Sequence, residues 1–264
     1  MEFIPKLAGL GTVGFAVGFI GAMCGLVMGS LRLPVVVAVT ATPGIAAGTN
    51  IAISGLGALS GTLRHWREGR VSGVLLASMG SASVVGAFLG GFYSWLLHPS
   101  ILLTLIGIVL AQSGISMGFP RSDSSGGNRA PSPKTPVRQA RVLYGGIGLG
   151  LVIGVVGGMV GLALGALRLP AMIRWMDLDP RMAAGTSMAI GFLVGVFGFL
   201  GHWLHAEFDL WILGVMGAGA MWGANQGARV TGRLDPNRLK RWIGQLLCFM
   251  AAVMFFNAFR DWVG

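Results

Sequence analysis

Two arginines stand alone in long apolar runs of this sequence. Arg32 and Arg168 each lie between two leucines in an otherwise apolar stretch. A guanidinium within hydrocarbon is costly, so an intramembrane arginine usually has a functional task, and pairing with an anion is the simplest one. The other interpretation is that each side chain extends along its apolar stem to a membrane surface and keeps its charge in water.

Proline and glycine flank both arginines in the same order. Pro34 and Pro170 follow two residues later, and proline is favoured in the first turn of a helix. We therefore expect a half-helix to begin at each proline, with its free amide groups towards the arginine, which favours anion binding. Gly29 and Gly165 precede the arginines and predict an unwound tip, which is tolerated in a membrane only beside a cavity. Packing of small residues between helices is the alternative for the glycines.

The helix after each arginine carries hydroxyl and amide side chains, Ser54 among them, that can donate neutral hydrogen bonds to an oxyanion. Hydrogen bonding between helices of a tight bundle explains these side chains equally well. The predicted substrate site consists of Arg32, Arg168, Thr49, Asn50, Thr186, Ser187, Gly29 and Gly165.

His65 and His202 lie at the ends of those same helices. A histidine that caps a helix near the membrane surface is the simpler interpretation, and a proton relay is the alternative. All nine acidic residues fall in predicted loops or at helix ends, so the sequence offers no intramembrane carboxylate for sodium or protons. Cation transport is therefore disfavoured.

No residue pattern predicts catalysis or metal binding. Cys24 and Cys248 each lie in an apolar segment, which indicates neither a disulfide framework nor a metal cluster. No HExxH pair occurs, and the Ser124-Ser125-Gly126 run lies in the predicted linker, so we predict no catalytic residue and no enzyme activity. No cofactor is predicted.

The composition predicts a helical membrane protein. Of 264 residues, 54% are hydrophobic and only 11% are charged, and the mean hydropathy is +0.74. Runs long enough to span hydrocarbon recur from Leu7 to Phe119 and from Val142 to Phe259. The formal charge of +10 comes from basic residues in short segments between apolar runs, where they set topology rather than bind nucleic acid.

The chain contains an internal repeat. At a shift of 136 residues Gly21, Gly25 and Arg32 match Gly157, Gly161 and Arg168, and after a one-residue gap the pattern continues to His65 and His202. The predicted domains are a first repeat at 1–119, a cytoplasmic linker at 120–141 and a second repeat at 142–264. Such repeats are typical of transporters that bind substrate between their halves.

Each repeat is predicted to hold a glycine-rich segment and three transmembrane helices, which makes the fold all-α. The glycine-rich segments are predicted at 7–42 and 142–176. The helices are predicted at 44–63, 72–96, 98–118, 182–202, 208–228 and 240–259.

The basic residues predict the topology. If each glycine-rich segment enters the membrane and returns to the same face, fifteen basic residues gather on one side, against Lys6 and Arg260 on the other. By the positive-inside rule that side is cytoplasmic and both termini are outside the inner membrane. The two repeats are then inverted relative to each other. A re-entrant segment and one that crosses twice give the same parity, so both stay open.

A paired motif resembles a known family. The sequence has Leu33-Pro34, then Ala47-Gly48-Thr49, then His65, repeated as Leu169-Pro170, Ala184-Gly185-Thr186-Ser187 and His202. In this pattern nearly the whole chain apart from the linker resembles the sulfite exporter TauE/SafE family. The resemblance implies a membrane permease that exports sulfite, a sulfonate such as sulfoacetate, or a related small sulfur oxyanion. The two arginines are inferred from the residues alone.

Other functions fit the same pattern. A passive channel for small anions is the main alternative, because no coupling carboxylate is visible. A membrane scaffold is a further one, although a scaffold has no need of buried arginines. The predicted partners are a small anionic substrate and the lipid bilayer, and homodimerisation stays open.

Overall fold

The protein is described here from a computed structural model, in which residues 3–94, 104, 107–108, 111, 114–115, 136–205 and 208–263 are described. These residues are helical or lie in short connections, and no strand occurs among them, which confirms the predicted all-α class. The helices are α1 Phe3–Cys24, α2 Gly29–Val39, α3 Pro43–Arg67, α4 Gly73–Phe92, α5 Pro136–Val160, α6 Gly165–Arg174, α7 Pro180–Trp203, α8 Leu210–Thr231 and α9 Pro236–Val263. Within α4, Leu76–Gly80 forms a π-helical turn.

Five of the predicted helices correspond to α3, α4, α7, α8 and α9, with ends that shift by a few residues. The sixth, predicted at 98–118, lies almost wholly outside the described residues. The linker predicted at 120–141 is also outside them up to residue 135, and α5 already begins at Pro136.

Capping side chains set where the long helices begin. The Thr42 hydroxyl accepts a hydrogen bond from the Ile45 amide at 3.3 Å, and the Asp209 carboxylate accepts one from the Ile212 amide at 2.9 Å. Asp179 does the same at the start of α7. Each cap satisfies an amide that the first helical turn leaves without a partner, so these acids stabilise helix ends.

Each glycine-rich segment is a broken helix. The first break, residues 25–28, separates α1 from α2, and the second break, residues 161–164, separates α5 from α6. Gly25 and Gly161 have φ of 71° and 69°, the left-handed conformation that ends a helix and favours glycine. In both breaks the next amide bonds back over the turn, as Leu26 does to the Gly21 carbonyl at 2.7 Å.

The start of the two half-helices differs from the prediction. We expected them to begin at Pro34 and Pro170, but α2 and α6 begin at Gly29 and Gly165, and each proline is the sixth residue of its helix. A proline at that position removes one intrahelical hydrogen bond, which the short helix tolerates. Each half-helix thus begins four residues after the left-handed glycine, Gly25 or Gly161, and not at the proline.

Glycines let helices of different repeats pack at close range. Gly14 and Gly18 of α1 face the backbone of α8, while Gly154 and Gly158 of α5 face the backbone of α4. A side chain at any of these glycines would overlap main-chain atoms of the neighbour. The interpretation of these glycines as helix-packing residues therefore fits the contacts.

The helices α3 and α7 cross at the centre of the described bundle and run antiparallel. Gly61 of α3 faces Met188 of α7, while Ile51 faces Gly198, so residue numbers rise along one helix as they fall along the other. Gly61 corresponds to Gly198 in the repeat, as Ile51 does to Met188, so the two contacts are reciprocal.

The surface of the helices is apolar. Among the described residues, α4 and α7 are each long and apolar enough to cross a membrane, with mean hydropathies of 1.7 and 1.8. On α4, Val85, Phe88 and Leu89 point outward and are exposed. An apolar surface of this kind is suited to lipid.

The second break depends on Gly161 for two separate reasons. A Cβ there would lie 2.5 Å from Ala47 Cα, and the left-handed φ itself costs a non-glycine residue about 1–2 kcal/mol. We expect Gly161→Ala to lower the Tm of the detergent-purified protein well below that of Gly69→Ala. Gly69 has a φ of 69° and no atom within 4 Å of an added Cβ, so this control carries the conformational cost alone. Equal Tm losses would show that the contact with Ala47 is unimportant.

Candidate functional site

Both predicted arginines lie in the interior. Arg32 and Arg168 are each the fourth residue of their half-helix, α2 and α6, and their exposed fractions are 2% and 0%. The guanidinium groups are therefore enclosed by protein rather than extended to a surface. Since the N-terminal end of a helix is its positive end, each half-helix adds to the positive potential of its own arginine.

The first arginine has polar partners on α3. Its Nη2 donates to the Ser54 hydroxyl at 2.6 Å, and its Nε lies 3.5 Å from Asn50 Oδ1. Ser54 in turn donates to the Asn50 carbonyl at 2.8 Å, and Asn50 Nδ2 donates to the Gly161 carbonyl at 3.1 Å. Arg32, Ser54 and Asn50 thus form a chain that ends on the backbone of the second break. We call these three residues the brace.

The second arginine lacks such partners. Its Nη2 donates to the Ala163 carbonyl at 2.8 Å, but its Nε and Nη1 are buried with no hydrogen-bond partner among the described residues. The hydroxyl of Ser187, also fully buried, has none there either. Ser187 stands at the repeat position of Asn50, and Gly191 stands at that of Ser54. The second repeat therefore has unused donors where the first repeat is internally bonded.

The described acids with identified partners serve other groups. Glu68 pairs with Arg64 at 2.5 Å and with Arg70, while Asp179 and Asp209 cap helices. A buried charge is normally paired, because an unpaired one loses its hydration without compensation. No ion pair of Arg32 or Arg168 occurs within the described part of the chain.

The two breaks lie side by side. A Cβ added at Gly165 would lie 3.1 Å from the Val27 amide nitrogen in the first break, and one at Gly29 would lie 3.4 Å from Leu162 in the second. Both glycines also border hydroxyl groups. The Cβ added at Gly29 would lie 2.9 Å from Ser54 Oγ, and the one added at Gly165 would lie 3.2 Å from Ser187 Oγ. Gly29 and Gly165 thus leave only hydrogen atoms beside the hydroxyls.

The two predicted threonines bind backbone at the ends of neighbouring helices. The Thr49 hydroxyl accepts from the Asp209 amide at 2.8 Å, and the Thr186 hydroxyl accepts from the Ser72 amide at 2.9 Å. Both bonds join one repeat to the other at the start of α8 or α4. Each hydroxyl thus has a structural partner away from the guanidinium groups.

The two histidines are buried near the breaks. His202 Nε2 lies 3.1 Å from the Gly158 carbonyl in the last turn of α5, where an N–H would cap that helix. His65 occupies the same repeat position near the end of α3 and is also fully buried. Both side chains are fully buried. A helix cap near the membrane surface and a proton relay both stay predictions.

Some groups beside the arginines were not in the predicted substrate site, although the Ser54 hydroxyl was named as a possible hydrogen-bond donor. Ser54 lies four residues after Asn50 and so on the same face of α3, a spacing that marks it as a neighbour of any group that Asn50 reaches. The carbonyl groups of Gly161 and Ala163 accept from Asn50 and Arg168. Backbone acceptors carry no signal in a sequence, because every residue has one.

Comparison with known proteins identifies relatives that cover most of the chain. The family described as Sulfite exporter TauE/SafE matches residues 10–254. A curated relative, the probable membrane transporter protein YunE of Bacillus subtilis (strain 168), is 27% identical over 253 residues, which cover 86% of this chain and 89% of the relative. No solved structure matches the chain.

Adjacent hydroxyls on α7 are expected to differ in their effect on stability. Thr186→Val removes the acceptor of the buried Ser72 amide and should lower the free energy of unfolding by about 1–3 kcal/mol. Ser187→Ala removes a hydroxyl without a partner in the described structure and should leave stability unchanged or slightly raised. Thermal unfolding of both variants in the same detergent measures the difference. A larger loss for Ser187→Ala would contradict the assignment of the two hydroxyls.

Proposed function

The chain belongs to the sulfite exporter TauE/SafE family of membrane transporters, and from this premise we propose that it exports a small sulfur-containing anion such as sulfite or a sulfonate. As a member of this family it is a transporter and not an enzyme. The observation that carries the proposal is the fully buried Arg168, whose Nε and Nη1 have no partner among the described residues.

The chemistry of the site favours an oxyanion. Unpaired N–H groups of a guanidinium and a hydroxyl form an array of donors, and an anion with two or three oxygens can accept from several at once. Two arginines at the positive ends of half-helices repel cations from the same space. A charged ligand of opposite sign offsets the cost of keeping these groups out of water.

We further propose that the substrate binds between two inverted repeats and that Arg32, Arg168, Asn50, Ser187, Gly29 and Gly165 surround it. The antiparallel course of α3 and α7 supports the inversion, as does the reciprocity of their contacts. The proximity of the two breaks supports a shared site. Thr49 and Thr186 then act as links that hold the fourth helix of one repeat to the third helix of the other.

Transport by a protein of this architecture requires the substrate site to face each side of the membrane in turn. Rocking of one repeat against the other around a fixed site is the usual route for inverted repeats. A passive channel would instead keep one continuous path, and the flux measurement below separates the two.

The direct test measures sulfite flux in proteoliposomes. We expect Arg168→Ala and Arg32→Ala each to lower the initial rate by about tenfold or more, since each removes a charge-assisted interaction. Arg67→Ala, which removes an exposed arginine of α3, is the matched control and should retain the rate. Each variant is checked for a wild-type elution profile and Tm.

Two outcomes would contradict parts of the proposal. Unchanged flux in both buried-arginine variants would remove the site from the proposal. Flux without saturation, and without counterflow when sulfite is placed on both sides, would replace the transporter by a channel.

The proposed orientation places both termini on the outer side of the inner membrane and the linker in the cytoplasm. In a background with Cys24 and Cys248 replaced by alanine, a Gly264→Cys variant should react in intact cells with a membrane-impermeant maleimide. A Ser124→Cys variant in the linker should react only after the membrane is opened. Labelling in the reverse order would invert the topology.

A further inference from the structure

We propose that the two arginines have unequal tasks: the transported anion binds Arg168 and Ser187, while the brace of Arg32, Asn50 and Ser54 positions the second break beside it. This inference rests on the proposed function and refines its binding site. It predicts that the repeat symmetry of the backbone is not matched by symmetry in substrate contacts.

The first argument is the difference in hydrogen bonding between Arg32 and Arg168. An anion that approached Arg32 would compete with Ser54, bound at 2.6 Å, and with the neighbouring Asn50. An anion that approached Arg168 would meet two nitrogens that have no partner among the described residues. A ligand gains most where it satisfies buried donors without breaking existing bonds.

The second argument is the pattern of substitution between the repeats. Asn50 and Ser54 of the first repeat are replaced by Ser187 and Gly191 in the second. Both replacements are smaller, and the second removes the hydroxyl that binds the first arginine. A Cβ at Gly191 would lie 3.4 Å from Arg168 Nη2, so the glycine keeps side-chain atoms away from the guanidinium.

The third argument is that the brace and Arg168 both donate hydrogen bonds to the backbone of the second break. Asn50 donates to the Gly161 carbonyl, and Arg168 donates to the Ala163 carbonyl two residues later. The brace therefore fixes one end of the short segment that orients the Arg168 guanidinium. Arg32, Asn50 and Ser54 act on the substrate through that segment, which makes them positioning residues.

Two serine substitutions distinguish the tasks. The test measures the binding of sulfite to the purified protein by titration calorimetry. It also measures sulfite flux in proteoliposomes over a range of sulfite concentrations. Ser187→Ala should raise the Kd and the half-saturating concentration about tenfold or more, because it removes a hydrogen bond to a charged ligand. Ser54→Ala, the matched change in the brace, should change both by less than about threefold and lower the maximal flux instead.

A second pair of variants tests the role of Gly191. Gly191→Ser gives Arg168 the hydroxyl partner that Arg32 has in Ser54, and we expect it to weaken sulfite binding more than Gly191→Ala does. The alanine variant is the control for crowding, since a Cβ at this position also meets the Val27 side chain at 2.5 Å. Equal binding in the two variants would contradict a competition for the guanidinium.

The outcomes separate this inference from the proposed function. Equal losses of affinity in Ser54→Ala and Ser187→Ala would overturn the inequality and leave the shared anion site intact. A larger loss in Ser54→Ala would assign the substrate to the first repeat. If the wild-type protein binds neither sulfite, sulfate nor methanesulfonate, both the proposed function and this inference fail.

Discussion

Two guanidinium groups held in the first turns of two broken helices, away from water, are the constraint on which the rest of this structure depends. Each lies at the positive end of its helix, and none of the described acids with identified partners neutralises either one. Such an arrangement is expensive unless hydrogen bonds or a ligand satisfy it. The brace meets that demand for Arg32, and an external anion is proposed to meet it for Arg168.

The surrounding fold holds this charge in place. Left-handed Gly25 and Gly161 end α1 and α5 inside the bundle, so that two new helices can begin there. Further glycines bring α1 onto α8 and α5 onto α4, and the Thr49 and Thr186 hydroxyls tie the repeats together at helix ends. Because these contacts connect different repeats, the interior of the protein is built jointly by both halves of the chain.

A transporter built from a duplication need not use its two halves alike. Once two copies enclose one substrate, a polar group that strengthens the scaffold in one copy can be lost in the other to leave room for the ligand. The exchange of Ser54 for Gly191 at equivalent positions has this character. Near-symmetry of the helices is suited to alternation between two faces, while asymmetry of the side chains supports the proposal of one preferred place for the anion.

The sequence by itself determined the helical class, the duplication and the two arginines, because apolar length, repeat spacing and isolated charge are all visible along the chain. It also predicted Asn50 and Ser187 as site residues together with the neighbouring threonines, but it did not indicate which of these side chains contact the arginines. Neighbouring residues on a helix point about 100° apart, so Thr49 and Asn50 face different neighbours. Which neighbours these are depends on tertiary packing, which brings Asn50 to Arg32 and Thr49 to the Asp209 amide. The start of α2 and α6 at glycine rather than proline, and the backbone carbonyls that hold both clusters, were likewise decided by tertiary structure, since they depend on which chain segments meet.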